Sequence, residues 1–471
     1  MKKKFAVHLF LLMTVISSCT KSITPADSTK TINSFTLLQA DGTSFPTVQV
    51  TLNRNKDTIQ ITLPYYSNLK ALKPLFTFTG AAVNPASGTI LDFTNPVTFT
   101  VTAQDGSKSN HLVIVKKQPA PSLVYFGSND QHIYAVDVTS GKLVWRYKGG
   151  GNFSYSSPTF ANGIIYVGGI DNNVYAFDAF TGAVKWAKNI ATTGIESDAV
   201  CFDGTIYVGT NDDYLYALDA GNGNTKWRYL TGGNISASPT IFNGTVYFGS
   251  SDNYLYALDA ATGSLKWKYQ TGAMINQSGP ALVNGIVYVG SRDSYLYAIE
   301  AATGSLVWKF YGNGISFEQS SPTVADGIVY IGAWYNTNNF SEKGCLYAVD
   351  AATGKLVWKQ LENTGISSSP TVANGNVYIT ADDLKIHALH AKTGMPVWSK
   401  QILPNSASPA VSGNVVFVGG GGTRSFYALN AGTGAEIWKF ALADNAITTS
   451  SPLVVHLDGK ADYSGDSGLS H

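Results

Sequence analysis

The chain has 471 residues, long enough for two domains. Only 13% of them are charged while 12% are aromatic and 47 are glycine, a balance that suits an all-β protein with many turns. The net charge of +1, with no basic run beyond the N-terminus, argues against nucleic acid as the main partner.

The first predicted element is a secretion signal. Lys2-Lys3-Lys4 is its charged region, and Phe5 to Ile16 is an apolar stretch too short to span a bilayer comfortably. Ile16-Ser17-Ser18-Cys19 follows and resembles a bacterial lipobox. That resemblance implies a signal peptide over 1–18 and lipidation of Cys19. With Thr20 rather than Asp next in line, it also implies the outer membrane, by analogy with enterobacteria. The periplasmic face and the cell surface both stay open as locations.

Residues 19–32 are polar, rich in Ser and Thr, and read as a tether. From 33 to 117 there is no Trp and no long period, only alternating runs: Gln49 to Leu52, Thr58 to Leu63, Leu75 to Thr79, Val97 to Ala103 and Leu112 to Val115. Asp105-Gly106 sits between the last two as a hairpin turn would. This stretch resembles the small immunoglobulin-like β-sandwiches of Bacteroidota lipoproteins; the expected role is a spacer, with adhesion as the alternative. Gln118-Pro-Ala-Pro121 makes 118–122 a stiff linker.

From 123 to 471 the chain repeats itself. Trp145, Trp186, Trp227, Trp267, Trp308, Trp358, Trp398 and Trp438 are separated by 41, 41, 40, 41, 50, 40 and 40 residues. A period near forty with strand-like composition predicts a β-propeller. Each Trp closes an eleven-residue phrase, the first being Ala135-Val-Asp137-Val-Thr-Ser140-Gly141-Lys142-Leu-Val-Trp145, and Ala, Gly and Trp hold their places in all eight copies. The phrase resembles the tryptophan-docking motif of the pyrroloquinoline-quinone (PQQ) repeat family, over roughly residues 121 to 460. Before each phrase come two alternating strands and, earlier still, a Ser-Pro strand with an Asn-Gly or Asp-Gly turn, as in Ala237-Ser-Pro and Asn243-Gly244. Each unit therefore has four strands, A to D, with Ser-Pro on A and Trp on D. The expected fold is all-β: an eight-bladed β-propeller of four-stranded blades preceded by the small sandwich.

The first unit starts at strand B, Leu123 to Gly127, while the chain finishes on an orphan A strand, Ser450 to Val455. Joining the two would close the ring and remove an exposed edge. Lys460 to Gly465 reads as a further B strand competing for the place of Leu123 to Gly127.

Candidate chemistry is sparse. Cys201 and Cys345 read as free buried thiols. His387 and His390, three apart on a strand, face opposite sides and are poor joint metal ligands. Asp130, Asp171, Asp252 and Asp293 recur in the B–C loops and read as turn formers rather than ligands. The chain lacks the vicinal cysteines common in PQQ dehydrogenases, so no catalytic residue, no metal and no PQQ is expected. One segment breaks the repeat: about ten extra residues, Trp334 to Lys343, in one B–C loop. Its aromatics Trp334, Tyr335 and Phe340, with Phe317 and Glu318 of the neighbouring D–A loop, are expected to share one face and bind a protein or glycan partner. In lipidation, repeat and blade count the chain resembles the propeller lipoproteins of the outer-membrane β-barrel assembly machinery. This implies a non-catalytic scaffold, with a surface glycan-binding lipoprotein as the alternative and a PQQ-dependent oxidoreductase as the third reading.

Overall fold

The computed structural model describes residues 27–45, 49–53, 57–65, 67–118, 121–335, 343–362, 364–403, 406–442, 446–456 and 461–462. Cys19, Phe340 and the signal segment lie outside them. The described residues form forty strands, β1 to β40 in chain order. No helix among them is long and apolar enough to cross a membrane. The chain divides into two compact units, Met1–Pro119 and Ala120–His471.

In the first unit β1 (Thr31–Gln39) pairs with β4 (Leu72–Thr79). The second sheet runs β2 (Gln49–Asn53), β3 (Thr58–Leu63), β7 (Lys108–Lys117), β6 (Val97–Thr102), β5 (Ala82–Asn84), with β3 and β7 parallel. Both sheets feed one core, in which Phe35 stacks on Phe76 and meets Phe99 edge-on, each at 5.4 Å between ring centres. Strand β1 is absent from the expected runs and starts inside the expected tether. A register shift between Ile32 and Ser34 explains why. The bulge puts Ile32 and then Phe35 and Leu37 into the core, so the period of two is broken where it would be read.

The second unit is a β-propeller. Its eight sheets repeat one plan, seen in β19 (Thr240–Phe242), β20 (Thr245–Gly249), β21 (Tyr254–Asp259) and β22 (Leu265–Gln270), paired antiparallel in chain order. The inner strands are buried on both faces, which is why they read as continuous runs such as Thr245-Val-Tyr-Phe-Gly249. The outer strand keeps Lys266 and Lys268 exposed and tucks Trp267 against the next sheet.

That tuck is the same in all eight sheets. Each indole Nε1 donates to a backbone carbonyl of the following sheet at 2.8 to 3.0 Å: Trp145 to Ala179, Trp186 to Ala220, Trp227 to Ala260, Trp267 to Ala301, Trp308 to Ala351, Trp358 to Ala391, Trp398 to Ala431 and Trp438 to Val138. A strand-B tyrosine often shares the acceptor, as Tyr125 Oη does on Ala179 at 2.7 Å. Within each sheet the Trp lies opposite the Ala of its own phrase, for example Trp145 against Ala135, so a larger residue there would displace the indole. The glycine has two duties. At Gly141 the backbone has φ +67°, and an added Cβ would stand 2.7 Å from the Trp438 ring.

The ring closes through the first sheet, whose order is β10 (Leu143–Lys148), β9 (His132–Asp137), β8 (Leu123–Gly127), β39 (Leu453–Val455), β40 (Ala461–Asp462). Strand β8 holds the B position against β39, with Leu453 opposite Tyr125. The expected competition does not arise, because β40 pairs with the other edge of β39.

Candidate functional site at the hub of the propeller

The loops entering strand A of all eight sheets converge on a cavity of about 340 Å³. Its wall is built from the Ser-Pro motifs. Proline carries no N–H, so it leaves no unpaired donor at the start of the short inner strand, and the two residues before it do the bonding. The first serine caps its own sheet: Ser156 Oγ accepts from Gly168 N, Ser320 Oγ from Gly332 N and Ser368 Oγ from Thr380 N, at 3.0, 3.0 and 3.1 Å. The second serine bonds the neighbouring sheet. Ser321 N donates to Ser369 Oγ, Ser369 N to Ser408 Oγ, Ser408 N to Ser451 Oγ and Ser451 N to Ser157 Oγ, at 3.0, 2.8, 3.2 and 3.2 Å. A belt of hydrogen bonds thus circles the hub. Asp198 takes the serine place in one sheet, where Oδ1 accepts from Ser157 N at 2.5 Å. Gly279 takes it in another and has no side chain to offer Ser238.

Above the belt the cavity is lined by Tyr155, Glu196, Gln277, Gln319 and further serines, with Thr449. Tyr155 is 53% exposed. The lining holds two carboxylates, Glu196 and Asp198, and no Lys or Arg. Hydroxyls and amides dominate, which suits a polar, hydrogen-bonding ligand.

The loop from Trp334 to Lys343 is fixed at its base. Tyr335 pairs with Lys343, Trp334 N donates to Ser316 O at 3.0 Å, and Ser316 N donates to Tyr335 O at 2.8 Å. Trp334 Nε1 and Lys343 Nζ both reach Asp382 Oδ2 of the next sheet, at 3.3 and 3.4 Å. Trp334 and Tyr335 are half-buried and meet edge to face, 4.5 Å between centres. Tyr335 Oη donates to Glu318 Oε1 at 3.4 Å. Trp334, Tyr335 and Glu318 are therefore brought together as expected.

Two expectations for this cluster need correction. Phe317 is fully buried and packs on Tyr347, 5.5 Å between ring centres, so it cannot reach a partner. Its physical role is to cover Gly290 at the end of a B strand, as Phe153, Ile195, Ile235, Ile275 and Ile366 cover the equivalent glycines. That recurring apolar residue, three or four places before the belt position, was a legible signal. Glu318 is 3% exposed, with Arg292 Nε at 3.8 Å as its ion-pair partner. Burial pushes its carboxyl above the ordinary glutamate value, against a smaller opposing pull from Arg292.

The B–C aspartates are turn formers. Asp252 Oδ2 accepts from Tyr256 Oη at 2.6 Å and from Gly232 N at 2.9 Å, and Asp293 and Asp171 repeat the pattern. Burial and the adjoining Asp171 raise the Tyr175 phenol to about 12. His387 is held by Asp383 at 3.0 Å, while His390 is exposed on the outside of its strand. Cys345 is buried, Cys201 is only half-buried, and both are free, their thiols pushed up to about 11 by burial.

A family model described as outer membrane protein assembly factor BamB matches residues 82–192, 188–309, 273–341 and 292–461. The chain belongs to the BamB family. A second model, described as SGBP, N-terminal, matches residues 32–115, the N-terminal domain of Bacteroidota surface glycan-binding proteins. Among solved structures, BamB from Moraxella catarrhalis is 21% identical with a TM-score of 0.52, covering 65% of this chain and 88% of that one. A europium-containing methanol dehydrogenase gives 16% and 0.53, over 64% and 81%. The computationally designed Ika8 protein gives 16% and 0.54, over 66% and 95%. At these identities the likeness is one of fold. A quinoprotein ethanol dehydrogenase of Pseudomonas aeruginosa is 35% identical over 109 residues, 20% of this chain and 17% of that enzyme, so the chain spans about a sixth of its length.

Proposed function

We propose that the chain is a non-catalytic outer-membrane lipoprotein, anchored through Cys19, whose propeller binds another protein as a scaffold. The observation that carries this is the base of the loop 334–343, fastened to two sheets at once through Ser316, Glu318 and Asp382. Side chains held in place before binding, as Trp334 and Tyr335 are, lose little entropy on contact, and aromatic residues supply binding energy at interface centres. Membership of the BamB family supports both the scaffold role and the membrane. Phe340 is part of the proposed contact on sequence grounds alone.

The test replaces Trp334 to Lys343 with the Ser251-Asp252-Asn253 turn of a regular unit. Affinity purification from native membranes should then lose the partner that the intact chain recovers, while the melting temperature holds. Full recovery with the shortened loop would overturn the reading.

A second reading, a surface glycan-binding lipoprotein, is favoured by the match of residues 32–115 and by the hydroxyl- and amide-lined hub. A quinoprotein activity is disfavoured by that same lining. PQQ is a tricarboxylate, and the hub offers it two carboxylates and no cation. Among the described residues no three His, Cys, Asp or Glu could hold a metal beside it. Titration with PQQ, with and without calcium, should give neither binding nor alcohol oxidation; turnover would sink the non-catalytic assignment.

A further inference from the structure

We infer that the hub cavity of the propeller binds a small aliphatic amine through its ammonium group, with Glu196 as the charged acceptor. This does not depend on which macromolecule the propeller binds.

The rim of the hub is a ring of equivalent positions, each three residues before the strand-A proline or its counterpart. Its members are of two kinds. The short side chains already have partners: Ser236 Oγ donates to Asn211 Oδ1 at 3.2 Å, Ser367 Oγ to Ser406 Oγ at 3.1 Å, and Thr449 Oγ1 to Ser154 O. The long ones are Tyr155, Glu196, Gln277 and Gln319. They line the cavity, and their side chains make no hydrogen bond or ion pair with another described residue. They belong to five consecutive sheets, interrupted only by Ser236, so they gather on one side of the opening.

The charge on that side has one sign. Glu196 is half-buried and reaches the cavity, and Asp198, also in the lining, lies in the belt at 3% exposure with Oδ1 on Ser157 N. No Lys or Arg lines the cavity. Two carboxylates in a recess partly shielded from water focus a negative potential, which a bound cation relieves. The chain as a whole carries +1, so this attraction belongs to the recess and not to the surface at large.

The neighbours of Glu196 select the kind of cation. Tyr155, on the adjoining sheet, is 53% exposed and supplies an aromatic ring for an alkylammonium group. Gln277 and Gln319 supply amide oxygens for the remaining N–H donors. A bare metal ion fits poorly, because among the described residues no three His, Cys, Asp or Glu gather. A neutral ligand would use the amides and leave both carboxylates uncompensated. At about 340 Å³ the cavity has room for a short-chain amine.

The experiment titrates the full chain in detergent with putrescine and with spermidine by calorimetry at physiological salt. It uses 1,4-butanediol as the uncharged counterpart of putrescine. At least one amine should bind, and the diol should not. Glu196→Gln keeps the shape and removes the charge. It should weaken amine binding by about tenfold or more and leave the melting temperature unchanged, because Glu196 has no partner among the described residues. Tyr155→Ala should weaken binding a few-fold and serves if the glutamine variant fails to fold. Three results would overturn the proposal: no binding of either amine at millimolar concentration, equal binding by the wild type and Glu196→Gln, or a diol that binds as tightly as putrescine. Loop shortening reads the capture of a protein partner, so the loss or survival of that partner leaves the amine titration free to fail or succeed by itself.

Discussion

The indole Nε1 of Trp438 donates to the carbonyl oxygen of Val138 at 2.9 Å, across 300 positions of sequence. It is the same bond that every other sheet makes to its successor, here made from the last sheet to the first. Two of its surroundings differ. The acceptor is Val138 where the other sheets present Ala, and Phe417 stands where seven sheets have a tyrosine, so no phenol shares the carbonyl.

We expect Trp438→Phe to cost about 1 kcal/mol through the lost hydrogen bond, and Trp438→Ala to cost about 3 to 5 kcal/mol through the cavity it leaves. Truncation after Ala446, which removes β39 and β40, should be far more severe, giving insolubility or a sharp fall in melting temperature. Thermal denaturation of the three variants checks the order, and a truncated chain as stable as the full one would show that closure lies elsewhere.

The serine belt makes a second stability prediction. Ser369→Ala removes the acceptor of the buried Ser321 N–H while keeping the shape of the inner strand. The expected loss is about 1 to 3 kcal/mol. Ser367→Ala, whose side chain lies in the lining outside the belt, should be near neutral. Urea unfolding of the two variants compares them.

Glu318 should make stability depend on pH. Its carboxyl is raised in the folded state by burial, so above the ordinary glutamate value the folded chain holds a proton that the unfolded chain has released. Stability then falls as pH rises through that window. Glu318→Gln should raise the melting temperature near neutral pH, and its advantage should vanish as pH drops below the ordinary carboxylate range. A stabilisation that is independent of pH would point to packing instead.

Cys19→Ala should release the chain into the soluble fraction, since the lipid is the proposed anchor and no described helix can replace it. Pelleting of this variant with membranes after a salt wash would contradict the lipobox reading.

The sequence alone determined what each repeat does for itself. The spacing of the eight tryptophans, the glycine six residues into each phrase and the Ser-Pro strands are local and periodic, so their turn, packing and pairing roles were legible before any coordinates. Even the B–C aspartates read correctly as turn formers, because Oδ1 accepts from the backbone two residues on, although Oδ2 also accepts from Gly232 N or Gly272 N well back in the chain. What only the tertiary structure decided depends on residues that meet from different repeats. It put Phe317 over Gly290, left Glu318 desolvated behind Tyr335, gave β8 rather than β40 the B position, and joined serines of successive sheets into one belt. In the N-terminal unit a single bulge hid β1 from the pattern. Burial is set by the neighbours that arrive from elsewhere in the chain, and periodicity carries no record of which neighbours those are.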